Sequence, residues 1–316
     1  MALYLKEEDV AKLVGVGDAI SALETVFAEW GTDNVFNAPR QRIKIPQRAM
    51  NLMGASWSSG DICGHKAYFS GCFYVSLYSI SQKRQLAQIE ANGLGAIRTG
   101  AAGGLATKIL AREDATSLGV IGSGRQAWTQ VLAIAEVRKL ETVRVFSRDE
   151  TKREAFVAEI VKEIDCEVVA AKSAEACIRD ADIAVTVTTS AEPVLFGDWL
   201  APGTHLNATG ANGYARREID DAAVMRASIV STDQRQQAKV EARELIDLTE
   251  SGSISWDDVV EIGALLRGDV AGRKSEDQIT LFKSLGIALE DIAIGKVIYE
   301  RAIAAGVGQT FGPRGA

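Results

Sequence analysis

The feature that most constrains this chain is a short apolar run that ends in a glycine turn and leads into a helix. Residues 118–121 read Leu-Gly-Val-Ile and are followed by Gly122-Ser123-Gly124-Arg125-Gln126-Ala127. The first glycine permits a tight turn, and the second lets a pyrophosphate approach the backbone. The small alanine lets the helix pack closely on the strand. A helix N-terminus placed there attracts phosphate charge. A second strand, residues 143–149, follows at the expected spacing. The motif is therefore read as a dinucleotide site, with Gly122, Ser123, Gly124, Arg125 and Gln126 as cofactor-binding candidates.

The rest of this half alternates in the same way. Strand patterns at 166–171, 182–190, 204–211 and 227–233 are separated by helical patterns at 127–140, 149–164 and 174–181. Strands alternating with helices of this length imply a parallel, doubly wound sheet. Ligands gather at the carboxyl ends of such strands. Thr188 and Ser190, with Thr189 between them, end the fourth strand and are read as cofactor contacts, with helix capping as the alternative.

The N-terminal part has a different period. Residues 7–30 read as one amphipathic helix, with Val10, Leu13, Val14, Ile20, Leu23, Val26, Phe27 and Trp30 at helical spacing. Residues 40–90 alternate apolar and polar positions between glycine and serine turns, so they predict an antiparallel or mixed sheet. Residues 92–113 are a glycine-rich helix suited to close packing. Residues 276–306 read as one long or broken helical segment. The fold class is therefore α/β: a Rossmann doubly wound parallel sheet plus an α+β domain.

Composition narrows the chemistry. The 316 residues carry 35 Lys+Arg against 42 Asp+Glu, a net charge of −7. Such an acidic chain is a poor duplex nucleic-acid binder. Only two histidines and four cysteines occur, and no two cysteines form a CxxC pair, so metal-site spacings are missing. No run of about 18 apolar residues suggests a membrane span, and the N-terminus does not read as a secretion signal. The expected compartment is the cytoplasm, with reduced cysteines.

Cofactor choice turns on the end of the second strand. An NAD site usually places an acid there, but this chain reads Ser147-Arg148-Asp149. A hydroxyl beside a cation suits a 2′-phosphate, so the chemistry leans to NADP. A displaced ribose contact from Asp149 would restore NAD.

Several segments in chain order resemble the ornithine cyclodeaminase/μ-crystallin family. They include Arg42-Ile-Lys-Ile-Pro46, Gly64-His65-Lys66 and Ala96-Ile97-Arg98-Thr99-Gly100-Ala101-Ala102, followed by the fingerprint and Ser147-Arg148. Further along come Glu192-Pro193-Val194-Leu195, the run 202–207, Gly210-Ala211-Asn212, Arg217-Glu218-Ile219-Asp220 and the run 281–286. The resemblance implies a substrate and dimerisation domain of residues 1–113 plus 292–316 and a Rossmann domain of 114–291. It also implies a homodimer, an active site between the domains, and chemistry that interconverts amino acids and imines at a nicotinamide.

By the same resemblance, Arg98 and Arg42 match carboxylate-binding arginines and Lys66 the catalytic lysine. Arg40 is an alternative to Arg42 or an added cation. Arginine suits a carboxylate because its planar fork engages both oxygens. A buried lysine between arginines has a lowered pKa and can move protons. His65 is next to Lys66 and, in a strand, would face the other way. Phe282, Ser284 and Gly286 match the nicotinamide-side segment. Asn212 stands where cyclodeaminases of the family carry an aspartate base, and an amide cannot accept that proton. Asp220, at a helix start, is a poor substitute. The expected activity is thus reduction of a small α-imino acid, such as iminosuccinate, iminopropionate or a cyclic ketimine. The alternatives are cyclodeamination and ligand binding with little turnover.

Overall fold

Alternating apolar positions sort the chain into two sheets. The computed structural model describes residues 1–46 and 48–312, and residues 313–316 of the expected first domain lie outside it. The chain divides into one compact unit of residues 1–98 plus 286–316 and another of residues 99–285. The division falls inside the helix Asn92–Leu110, not at the 113/114 junction expected from the start of the next strand. The second cut, at 285/286, precedes the helix Ala288–Ala305 rather than interrupting it.

The first unit is built on a seven-stranded mixed sheet. Its strands are β1 (Ala2–Leu5), β2 (Val35–Ile45), β3 (Arg48–Trp57), β4 (Ile62–Phe69), β5 (Cys72–Ser79) and β6 (Arg84–Glu90), with β15 (Gln309–Phe311) added near the end of the chain. Strands β2 to β6 form an antiparallel meander, β1 lies parallel to β6, and the order is β15-β1-β6-β5-β4-β3-β2. The expected single helix at 7–30 is two, Glu7–Leu13 and Val16–Phe27. Gly15 interrupts it with extended backbone and caps the second helix. The helix Ala288–Ala305 packs on strands of this sheet, burying Leu289, Ile292, Ile294 and Ile298.

The second unit holds eight parallel strands: β7 (Ser117–Ile121), β8 (Thr142–Phe146), β9 (Glu167–Ala170), β10 (Ile183–Thr186), β11 (His205–Ala208), β12 (Ala227–Thr232), β13 (Val259–Glu261) and β14 (Ile279–Lys283). Their order is β13-β12-β14-β11-β10-β7-β8-β9. The chain runs outward from β7 to β9 and then returns to start the other half at β10. The topological switch point therefore lies between the carboxyl ends of β7 and β10, where such folds bind ligands. Side chains alternate between two cores. Leu118, Val120, Ile183 and Val185 enter one, while Ile121, Ala184 and Leu206 enter the other. Residues 276–306 are not continuous helix, because Ile279–Lys283 is a fully buried strand and its apolar run carries no helical stripe. His205 is buried between Thr280 and Asn207, and burial pushes its pKa down to about 3.

Glycines in the helix Asn92–Leu110 let neighbours approach closely. A Cβ on Gly100 would lie 2.4 Å from the carbonyl oxygen of Thr129 in the helix Arg125–Val137. Backbone cannot step aside as a side chain can. Gly100→Ala is expected to destabilise the protein by roughly 1–3 kcal/mol through overpacking. Urea denaturation would show the loss as a lower midpoint at unchanged slope.

Candidate active site

Strand alternation in β4 puts Lys66 and His65 on opposite faces, as the sequence predicts. His65 is exposed and stacks on Tyr78, whereas Lys66 is buried. Lys66 is paired across the sheet with Met53 and Val75, so an ammonium stands in an otherwise apolar row. Three cations are brought together there. Arg40, Lys66 and Arg98 are exposed by only 7%, 3% and 9%. Both guanidinium charges act on Lys66.

Arg40 owes its place to an irregularity. The register of β2 on β3 shifts between Ala38 and Gln41. Arg40 sits in that bulge, with Nε 3.4 Å from Met53 Sδ and Nη2 donating to the Gly286 carbonyl at 2.9 Å. Arg42 is exposed. It pairs with Asn51, which pairs with Tyr68, so it lies on the face of Lys66 but one row away. The structure thus places Arg40, rather than Arg42, inside the buried cluster. The reason is the bulge, which spacing from Pro46 could not reveal.

Two carboxylates stand among the cations, and the sequence reading missed both. Asp291 Oδ1 accepts from Lys66 Nζ at 2.7 Å and lies 3.7 Å from Arg98 Nε. Glu290 Oε2 accepts from Arg98 Nη1 at 3.1 Å. Both acids are fully buried in the first turn of the helix Ala288–Ala305, where the helix dipole favours negative charge. The available signal was an adjacent acid pair inside the apolar run 287–294. Burial lowers the Lys66 pKa, the charges of Arg98 and Arg40 lower it further, and Asp291 opposes them.

Gly286 shapes this cluster. Its φ is +71°, and a Cβ there would lie 1.8 Å from Arg98 Nη1. The helix bearing Arg98 is fixed at its start by Glu7, whose carboxylate accepts from the amides of Asn92 and Gly93 at 2.6 and 2.7 Å.

The second unit carries the glycine turn 122–124. Gly122 has φ +138°, and a Cβ there would meet the Val187 carbonyl at 2.6 Å. Gly124 begins the helix Arg125–Val137 with no side-chain cap, and the space beside its Cα is open. An open approach to uncapped helix amides fits a pyrophosphate. Gln126 is half-buried and Arg125 exposed. Ser147 Oγ accepts from Ser123 Oγ at 2.9 Å and donates to the Asp149 carbonyl. Arg148 is exposed. Asp149 caps the helix Glu150–Ile160 by accepting from the Lys152 amide, and it pairs with the Lys152 ammonium at 3.1 Å.

Thr188, Ser190 and Asn212 are half-buried. Their loops are held by Glu218, another residue whose role the sequence did not show. Its buried carboxylate accepts from the amides of Thr188, Gly210 and Ala211 at 2.5, 2.6 and 3.0 Å. Lys283, paired with Glu244 at 3.0 Å, donates to the Ala211 carbonyl at 2.7 Å. Ser284 is buried with its hydroxyl 3.4 Å from Asp233 Oδ2. Phe282 is buried in β14. Asp220 caps the helix Asp221–Met225.

The ornithine cyclodeaminase/mu-crystallin family model matches residues 2–306. The chain belongs to that family. Within the family, alanine dehydrogenase of Archaeoglobus fulgidus is 32% identical over 97% of each chain. The Thermococcus litoralis Δ1-pyrroline-2-carboxylate reductase, solved with NADH and L-proline, superimposes with a TM-score of 0.93 at 30% identity, covering 98% of this chain and 100% of that one. The iminosuccinate reductase of Paracoccus denitrificans, solved with NAD+, gives 0.90 at 29% identity over 98% of each.

Gly286→Ala is expected to displace the Arg98 guanidinium, costing roughly 1–3 kcal/mol of stability. Thermal melts would show the loss, and a variant as stable as wild type would contradict the packing described.

Proposed function

We propose that this chain is an NAD(P)H-dependent reductase of a small α-imino acid. The buried cluster of Arg40, Lys66 and Arg98 against Glu290 and Asp291 carries the reading. Among the described residues, three cations against two carboxylates leave one positive charge, which complements one substrate carboxylate. The guanidinium forks suit its two oxygens. A bound nicotinamide supplies the hydride that adds to the imine carbon. Lys66, buried and paired, is placed to hydrogen-bond the substrate and to give the proton that the nitrogen needs.

The excess of one charge favours a monocarboxylate, such as iminopropionate or a cyclic ketimine. The second carboxylate of iminosuccinate would fall to Arg42, one row outward on the same face. Asn212 supports simple reduction over cyclodeamination, since it offers no base. Gly122, Ser123, Gly124, Arg125 and Gln126 would hold the pyrophosphate, with Thr188 and Ser190 nearby on the neighbouring strand end. Ser147 and Arg148 suit a 2′-phosphate, and Asp149 is engaged as a helix cap. The proposal includes a homodimer. The long edge strand β2 exposes Phe36, Ile43 and Ile45, which supports pairing between copies.

Cofactor oxidation would be assayed with pyruvate, oxaloacetate or glyoxylate plus ammonia, and with cyclic imines. Turnover of at least one is expected, and none would overturn the reading. Arg98→Ala is expected to lower kcat/KM by roughly 10–150-fold, for a lost charge-assisted contact of about 1.5–3 kcal/mol. A change below about fivefold would place the carboxylate clamp elsewhere. Arg148→Ala is expected to weaken NADPH much more than NADH in fluorescence titrations. Equal loss for both would remove the 2′-phosphate assignment.

A further inference from the structure

Lys66 faces an unusual set of groups. From the helix Ala288–Ala305 comes the Asp291 carboxylate at 2.7 Å. From the helix Asn92–Leu110 comes Arg98, and Gly95 on that helix leaves room for the ammonium, since a Cβ there would sit 3.0 Å from Nζ. Arg40 approaches from β2, and Glu290 faces Arg98. The Tyr68 ring on its own strand lies 6.0 Å away, and the cross-strand neighbours Met53 and Val75 are apolar.

Burial and two guanidinium charges all favour a neutral amine, and Asp291 is the anion bonded to Nζ. Its other oxygen, Oδ2, has no hydrogen-bond partner among the described residues. The carboxylate is therefore committed to the cations rather than to a scaffold of backbone amides.

We propose that Asp291 is a positioning residue that holds Lys66 as the ammonium and aims its remaining N–H bonds at the substrate. This rests on the reductase reading. Hydride addition at the imine carbon moves the C=N π electrons onto nitrogen, which takes one proton. Lys66 releases that proton and becomes the neutral amine that its buried setting tolerates, and solvent restores the proton after turnover. Asp291 touches neither hydride nor imine.

The test is the pH profile of kcat/KM for imine reduction in wild type, Asp291→Asn and Asp291→Glu. Activity requires ammonium, so it falls as pH rises through the Lys66 pKa. Loss of the negative charge should move this alkaline limb of Asp291→Asn to lower pH by roughly 1–3 units. Asp291→Glu keeps the charge and should keep the limb, even at a lower rate. The imine's own titration is common to all three and cancels in the comparison. An unmoved limb in Asp291→Asn, or a displaced one in Asp291→Glu, would overturn the proposal.

A second readout needs neither turnover nor the asparagine variant. In 15N-lysine-labelled wild type, the amine resonance that Lys66→Arg removes should report ammonium at pH 7. A neutral amine there would also overturn the assignment. Absence of turnover on every imine, with an ammonium signal present, would instead count against the reductase reading.

Discussion

Everything around Lys66 depends on charge compensation among buried side chains. An ammonium and two guanidiniums in the interior of the first unit would repel one another and lose their hydration. Either cost alone exceeds what a nearby apolar row can repay. Glu290 and Asp291 make the arrangement possible. They come from consecutive positions in the first turn of one helix, where the backbone dipole already favours anions. One acid serves Arg98 and the other serves Lys66. Removing either would leave a buried cation uncompensated, a change that typically costs about 3–5 kcal/mol. Among the described residues the two acids stand against three basic side chains, Arg40, Lys66 and Arg98.

The same logic recurs in the second unit with the opposite sign. There Glu218 gathers three backbone amides from the loops after β10 and β11, while Lys283 holds a carbonyl of the second loop. The loops that carry Thr188, Ser190 and Asn212 are thereby fixed by buried side chains. The glycine turn after β7 works differently. Gly122 is obligatory because a side chain would strike Val187, whereas Gly124 faces open space.

Much of this was legible in the residues. The apolar run Leu118–Ile121, the turn that follows and the strand–helix repeats lead to a doubly wound sheet. Strand parity separated Lys66 from His65. Other features were hidden for identifiable reasons. β14 escaped because a strand buried on both faces has no period of its own. The break at Gly15 lies inside an uninterrupted apolar pattern. The sequence favours Arg42 over Arg40 because a bulge changes side-chain direction without marking the sequence. Glu290 and Asp291 lie some 190 to 225 positions from their partners, so no local spacing links them. A buried acid pair in an apolar helix is the one clue they leave.

The central claim is that the buried cluster, not the exposed Arg42, receives the substrate carboxylate. A crystal structure of the protein with NADH or NADPH and the L-amino acid product of whichever imine it reduces tests this most directly. The expected result is a carboxylate within hydrogen-bond distance of the Arg98 guanidinium and Lys66 Nζ, with Asp291 still bonded to Lys66. A carboxylate bound by Arg42 alone, with Arg98 and Lys66 engaged only by Glu290 and Asp291, would contradict it.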